Sequence, residues 1–359
     1  MCGIVAYVGS RRAYPILIKG LQRLEYRGYD SAGIGLISDD NNSIVTYKQS
    51  GKVSDLLEFI GDNDTNGSIG IGHTRWATHG PPNQINSHPH SSSDGSFSLI
   101  HNGIIENYSS LKKVLEEKGY VFKSDTDSEV LMYLIECVYE TQLKESQDIC
   151  GDLLYDSIRI ALNEVVGAYA IVVIDKNNSE EFYAARKGSP LVIGIGNNEF
   201  FVASDASPII EYTDKVIYLK DEEVARLNKN QEVEIKTIDN KKKSADIQKL
   251  EQSIESIEKG GYDHFMLKEI FEQPKSIIDT LRGRINPKTN DIVLGGIKDH
   301  ESKIINADRL IIIACGTSWH AGLIGEYLIE DLARINVEVE YASEFRYKNP
   351  IITNKDIVI

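Results

Sequence analysis

Apolar residues in the first third of the chain arrive in short runs. Ile4 to Val8, Ala32 to Ile37, Ile44 to Tyr47 and Ser68 to Gly72 read as strands. The period then changes: Asp125 to Glu140 carries apolar residues at three- and four-residue spacing behind an Asp/Thr-rich start, which predicts a helix. From Tyr169 to Leu227 short strands return, punctuated by Gly, Asn or Pro: Ala170 to Ile174, Phe182 to Ala185, Leu191 to Ile195, Phe200 to Ala203, Val216 to Tyr218 and Glu223 to Leu227. That texture predicts mostly antiparallel sheet. A compact way to cover so much sheet is to stack two sheets and lay helices on their outer faces, an α/β fold with a layered αββα sandwich.

The pattern breaks at Asn228. Residues 228 to 263 are polar and rich in Lys and Glu, which suggests a tether; within it Lys241-Lys242-Lys243 reads as a solvated face. Beyond it, Phe265 to Leu281 reads as a helix interrupted at Pro274. Arg309 to Cys315 is a near-continuous apolar run, followed by a turn, a helical pattern from Ser318 to Ile335 and a strand from Val337 to Tyr341. Strand, turn, helix, strand opens a doubly wound parallel α/β unit, and the chain stops at Ile359 soon after it starts. The expected organisation is therefore a first domain over 2–227, a linker over 228–263 and the N-terminal part of an incomplete second domain over 264–359.

Composition narrows the function classes. The 359 residues carry 41% hydrophobic and 26% charged side chains, as expected of a soluble globular chain. A net charge of −15 argues against an extended nucleic-acid surface, which needs clustered Lys and Arg. The longest apolar stretches are too short to span a bilayer and no signal segment opens the chain, so a cytoplasmic location and no membrane partner are expected. The four cysteines, Cys2, Cys137, Cys150 and Cys315, show neither C-x-x-C spacing nor the density of a disulfide scaffold. Cys137, inside the apolar-periodic run Val130 to Val138, reads as core filling.

Cys2 is the strongest chemical signal. A small residue at position two usually permits removal of the initiator, and Cys2 would then carry a thiol and a free α-amine together. An α-amine of pKa about 7.7 to 8.0 accepts the thiol proton near neutral pH. A thiolate attacking a carboxamide needs donors for the oxyanion, and an Asn amide beside a Gly N–H offers two: Asn102 and Gly103. The same dipeptide is also a common two-residue hairpin turn. Arg75 suits a bidentate clamp on a substrate carboxylate, and Asp127 suits its ammonium, although either Asp125 or Asp127 also suits the helix cap. Trp76 and Thr78 suit pocket walls. His88-Pro89-His90, with His73, His79 and His101, has irregular spacing and no zinc pattern; loop polarity accounts for it and no metal is expected. Cys315-Gly316-Thr317-Ser318, a strand-to-helix turn, suits a phosphate or a plain helix cap, with Ser343 on the next turn.

Met1-Cys2-Gly3-Ile4, Tyr26-Arg27-Gly28-Tyr29-Asp30-Ser31-Ala32-Gly33, His73 to Gly80, His101-Asn102-Gly103 and Asp125-Thr126-Asp127-Ser128-Glu129 together resemble the glutaminase domain of the glutamine:fructose-6-phosphate aminotransferase family. His264 to Pro274 and Ala314 to Ser318 extend the resemblance into that family's linker and first sugar-isomerase (SIS) domain. It implies an N-terminal nucleophile (Ntn) hydrolase sandwich with Cys2 as nucleophile and Asn102 and Gly103 as oxyanion hole. It also implies glutamine-binding residues Arg75, Trp76, Thr78, His79 and Asp127, with Arg27 and Gly28 in a loop beside them. Thr317 and Ser318 would contact the phosphate of fructose 6-phosphate, with Ser343 nearby. By the same resemblance there is no metal or organic cofactor, the partners are L-glutamine and fructose 6-phosphate, and the complete enzyme is a homo-oligomer that makes glucosamine 6-phosphate and glutamate. The stretch at hand is expected to supply the glutaminase half-reaction alone; the alternatives are amidotransferases using phosphoribosyl pyrophosphate or ATP, or an inactive or regulatory sugar-phosphate-binding fragment.

Overall fold

The computed structural model describes residues 2–40, 42–77, 79–145, 153–250 and 261–359 apart from 282–283, 286–288, 290, 293, 295–296 and 298–299. Contacts divide the chain into two compact units, Met1–Gly260 and Gly261–Ile359. The first contains two sheets. From edge to edge the eight-stranded sheet runs Ile247–Lys249, Lys215–Tyr218, Val192–Ile195, Phe200–Ala203, Gly3–Val8, Ile69–Arg75, Ser31–Ile37 and Ile44–Ser50. The seven-stranded sheet runs Lys242–Lys243, Glu234–Thr237, Glu223–Asn228, Asn178–Lys187, Gly167–Asp175, Phe97–Ile105 and His90–Ser91.

Alternation along single strands explains the layering. Ile4, Ala6 and Val8 point into a core shared with Ala170, Val172 and Ile174 of the other sheet. Val5 and Tyr7, one residue out of step, pack on the opposite face against Leu17 and Leu21 of helix Ala13–Leu24 and Leu56 of helix Val53–Ile60. Ile171 and Val173 likewise turn outward onto Leu131 and Ile135 of helix Asp127–Glu145 and Ile158 of helix Leu153–Asn163. Both faces of each central strand are therefore buried, so their sequences read as nearly unbroken apolar runs. Each fully buried Leu, Ile or Val stabilises the sandwich by about 1.5–3 kcal/mol. The four layers are the αββα sandwich that the strand pattern predicts.

The tether does not begin at Asn228. Glu234–Thr237 pairs with Glu223–Asn228, Lys242–Lys243 pairs with Glu234–Thr237, and Ile247–Lys249 pairs with Lys215–Tyr218, so the first unit runs well past 227. These are strands of two to four residues at or next to the sheet edges, and their shortness and their Lys and Glu content hide them in the sequence. Residues 251–260 of the expected tether lie outside the described residues.

In the second unit, Arg309–Ala314 is the middle of a three-stranded parallel sheet between Asn336–Tyr341 and Asp356–Val358. Helix Gly316–Ala333 connects the first two strands, as expected of a parallel unit. The helix expected to be interrupted at Pro274 instead continues from Phe265 to Leu281. Pro274 sits on an exposed stretch, where water can take the carbonyl that proline leaves unpaired. Among the described residues, no helix is long and apolar enough to cross a membrane.

Candidate active site

The strand Gly3–Val8 lies between Phe200–Ala203 and Ile69–Arg75, and its register pairs Gly3 with Thr74 and Ile4 with His73. That register carries Cys2 to the end of the sheet beside the Arg75–Trp76 peptide. The Trp76 N–H donates to Cys2 Sγ at 3.2 Å, and Sγ lies 3.5 Å from the Trp76 carbonyl oxygen. Burial pushes the Cys2 thiol above its ordinary value, while the Trp76 hydrogen bond pulls it back. Gly28 fits against the same peptide: a Cβ there would stand 2.8 Å from the Arg75 carbonyl carbon and oxygen and 3.0 Å from Trp76 N. Asp30 fixes the next residue by accepting the Ala77 N–H on its carboxylate, and its own N–H donates to the Arg75 carbonyl at 3.1 Å.

Asn102 and Gly103 lie inside the nine-residue strand Phe97–Ile105, which rules out the hairpin-turn reading of that dipeptide. Asn102 Nδ2 donates to the Cys2 carbonyl at 3.0 Å and to Ser204 Oγ at 3.0 Å. Gly103 has φ of +136°, and a Cβ would fall 2.0 Å from the Ala168 carbonyl oxygen, so only glycine fits there.

Arg75 is 3% exposed. Its guanidinium donates to the carbonyls of His79, Pro81 (3.3 Å) and Gly80 (3.4 Å), which holds the loop after the strand. Burial lowers its pKa, and the charges of Asp30, Cys2 and Asp127 oppose that, so the three acids and one cation share a neighbourhood. Asp127 is the first residue of its helix, and Oδ2 accepts the Ile105 N–H at 2.8 Å, linking the helix start to the strand of Asn102. The cap is neither aspartate. Thr126 Oγ1 accepts the Glu129 N–H at 3.3 Å. Trp76 is 48% exposed, its ring edge-on to Tyr29 at 5.6 Å, and His79 stacks edge-on against Tyr108 at 5.1 Å. Arg27 Nε donates to Asp205 Oδ2 at 2.9 Å, tying the Arg27–Gly28 loop to the turn after Ser204. Thr78 lies outside the described residues.

The histidines are not loop polarity. His73, His88, His90 and His101 are each at most 5% exposed. His73 and His88 rings lie 4.0 Å apart, and Ser128 Oγ joins His88 Nε2 and His101 Nδ1, both at 2.8 Å. Burial drives His73 down to about 3, lowers His88 and His90 well below the ordinary value, and lowers His101 against the pull of Asp127. Among the described residues no three His, Cys, Asp or Glu side chains are arranged to hold a metal ion.

In the second unit, Arg309–Ala314 and Asn336–Tyr341 end side by side, with Ala314 paired to Tyr341. Thr317 and Ser318 occupy the exposed first turn of the helix after the first strand, and Ser343 the exposed helix Ala342–Tyr347 after the second. All three lie off the carboxyl ends of neighbouring parallel strands, the usual place for a ligand in such sheets. Three residues of the first site went unread in the sequence: Asp30 as a loop anchor, His73 as a partner of Asn102, and Ser204, whose Oγ accepts from Ile4 N at 2.8 Å as well as from Asn102. Ser204 follows the strand Phe200–Ala203, so the rule of looking for polar residues at strand ends would have found it.

Comparison with known proteins gives these geometries a context. Residues 73–211 match a glutamine amidotransferase domain and residues 303–359 a SIS domain. The glutamine–fructose-6-phosphate aminotransferase (isomerizing) of Bacteroides thetaiotaomicron is 57% identical over all 359 residues of this chain, and that of Chlorobaculum tepidum is 52% identical over 362 aligned positions. The chain spans 57% of the length of each. A solved structure of the allosteric regulatory enzyme of purine biosynthesis superposes with a TM-score of 0.53 at 27% identity, covering 66% of this chain and 49% of that one. The chain belongs to the glutamine–fructose-6-phosphate aminotransferase family, with a glutamine amidotransferase domain over residues 73–211 and a SIS domain match over 303–359.

Proposed function

We propose that the chain is the glutamine-hydrolysing part of an aminotransferase that delivers ammonia to fructose 6-phosphate, giving glucosamine 6-phosphate and glutamate in the complete, cytoplasmic and homo-oligomeric enzyme. The observation that carries the reading is Cys2 Sγ at the end of a central strand, 3.2 Å from the Trp76 N–H, with the Asn102 amide 3.0 Å from the Cys2 carbonyl. After loss of Met1, the Cys2 α-amine takes the thiol proton and the thiolate attacks the carboxamide carbon of L-glutamine. Negative charge then develops on the amide oxygen, where Asn102 Nδ2 and Gly103 N–H stabilise it in a site that burial keeps poor in water. To serve the oxyanion, Asn102 must share a proton now directed at Cys2 or Ser204. The intermediate collapses to a γ-glutamyl thioester as the α-ammonium gives its proton to the amide nitrogen, which leaves as ammonia, and water then hydrolyses the thioester to glutamate and free Cys2.

Arg75 pairs with the substrate α-carboxylate and Asp127 with its α-ammonium. Trp76, Thr78 and His79 wall the pocket, and the Arg27–Gly28 loop supports them. Thr317 and Ser318, with Ser343 beside them, hold the sugar phosphate at the helix N-terminus. The domain bounds follow the compact units, with the glutaminase part reaching beyond 227 through the edge strands.

The test is glutamate release from L-glutamine by the purified chain, with intact mass reporting whether Met1 is gone. Turnover that disappears in Cys2→Ala, with a glutamine-like electrophile labelling Cys2, is the expected outcome. A correctly processed chain that releases no glutamate, or one labelled elsewhere, would overturn the reading.

A further inference from the structure

Asn102 is useful to an oxyanion only if its amide nitrogen, rather than its oxygen, faces Cys2. Nothing in the Asn side chain enforces that choice, because the two ends of the amide are nearly the same size. The Cys2 carbonyl, which only accepts, selects the nitrogen from one side, and a buried neighbour enforces the same choice from the other. His73 Nε2 lies 3.1 Å from the His101 backbone carbonyl oxygen and 2.9 Å from Asn102 Oδ1. A carbonyl oxygen only accepts, so Nε2 must carry the ring proton. The Asn102 atom beside that N–H is then the acceptor oxygen, and the amide nitrogen is turned toward the Cys2 carbonyl and Ser204 Oγ.

We propose that His73 is a positioning residue for glutamine hydrolysis: its neutral Nε2–H tautomer fixes the Asn102 amide so that Nδ2 is presented to the reacting centre. This rests on the reading of Asn102 as an oxyanion donor. Three features hold the tautomer in place. Nδ1 is buried with no hydrogen-bond partner, so a second proton would have nothing to bond to. The ring is 1% exposed and packs 4.0 Å from the His88 ring. Its strand position is set by pairing with Ile4 on one side and Gly33 on the other. A ring held in this way lets the amide offer its donor without reorganising when charge develops, which is where electrostatic stabilisation is most effective.

The test pairs kinetics with a spectroscopic readout on the full chain. In His73→Leu the kcat for glutamine hydrolysis should fall roughly 10-fold or more while KM stays nearly constant, since the oxyanion is absent from the bound ground state and forms only along the reaction. His73→Gln, which keeps an N–H donor at about the place of Nε2, should recover much of that loss. A purely structural role would instead lower Tm in both variants without a kcat-selective effect. Imidazole 15N spectra of the wild-type chain at pH 7 should show His73 neutral and protonated on Nε2. The Nδ1–H tautomer, or unchanged kcat in folded His73→Leu, would overturn the proposal. If wild type hydrolyses no glutamine, the functional reading fails; the 15N tautomer still decides the His73 contact by itself.

Discussion

Replacing Gly28 would reach the thiol without touching it. Its backbone is extended, so space rather than dihedral freedom demands glycine: an added Cβ meets the Arg75 carbonyl at 2.8 Å. Main-chain atoms cannot rotate away, so Gly28→Ala must displace either its own loop or the Arg75–Trp76 peptide whose N–H reaches Cys2 Sγ at 3.2 Å. Glutamine hydrolysis should drop by roughly 10-fold or more, since misplacement near the chemistry is costly. Iodoacetamide labelling of Cys2 in Gly28→Ala should also differ in rate from wild type; unchanged labelling and turnover would show that the peptide does not feel the methyl. The sequence made Gly28, Cys2, Asn102 and Gly103 legible because each belongs to a short run of polar or small residues. It did not reveal why Gly28 must be glycine, because the clash is with a segment nearly fifty positions away. His73 was visible only as one histidine among several; its meaning depends on a neighbour, Asn102, that the sheet pairing supplies.

At the scale of elements, periodicity found the strands buried on both faces and missed those at the edges. Gly3–Val8 and Gly167–Asp175 stand out because both faces need apolar side chains. Glu234–Thr237 and Lys242–Lys243 do not: the first is only four residues long with charged residues at alternate positions, and the second is the two-residue edge of the sheet, held by one ladder with its lysines exposed. The helix Asp127–Glu145 was readable from its period, but its cap was not. Sequence left Asp125 and Asp127 as rivals, and the cap is the residue between them. Thr126 Oγ1 lies 2.9 Å from Ser124 Oγ and 3.1 Å from His90 Nε2 besides accepting the Glu129 N–H, a set only a hydroxyl satisfies. Thr126→Val keeps the shape and removes the oxygen. It should cost about 1 kcal/mol, or somewhat more because the site is buried, in urea unfolding. It should also raise KM for glutamine, because Asp127, the next residue, loses its fixed helix start. A stability loss with an unchanged KM would separate the cap from substrate binding.

The whole molecule combines a strongly negative surface with buried neutral imidazoles, and acid acts on the two in opposite directions. Lowering the pH reduces the net charge of −15 and with it the self-repulsion of the folded chain, which is stabilising. The histidines act the other way. His73, His88, His90 and His101 all have pKa values lowered by burial, His73 to about 3, whereas in the unfolded chain each titrates near 6.5. Between those limits the unfolded state binds more protons than the folded one, so stability rises with pH across the window. Their contribution is therefore fully present above about pH 7 and is lost progressively as pH falls below 6.5 toward the folded values. Each fully differential proton is worth about 1.4 kcal/mol per pH unit, so the buried rings oppose the relief of surface repulsion as the pH falls. Urea midpoints followed by a signal from the first unit should stay level from pH 8 to 7 and fall steeply between pH 6 and 5. Removing one ring, as in His90→Gln, should make that fall shallower by about one proton even if it lowers the plateau. Equal midpoints at pH 7.5 and pH 5 would mean that the imidazoles are charged in the fold, or that water reaches them.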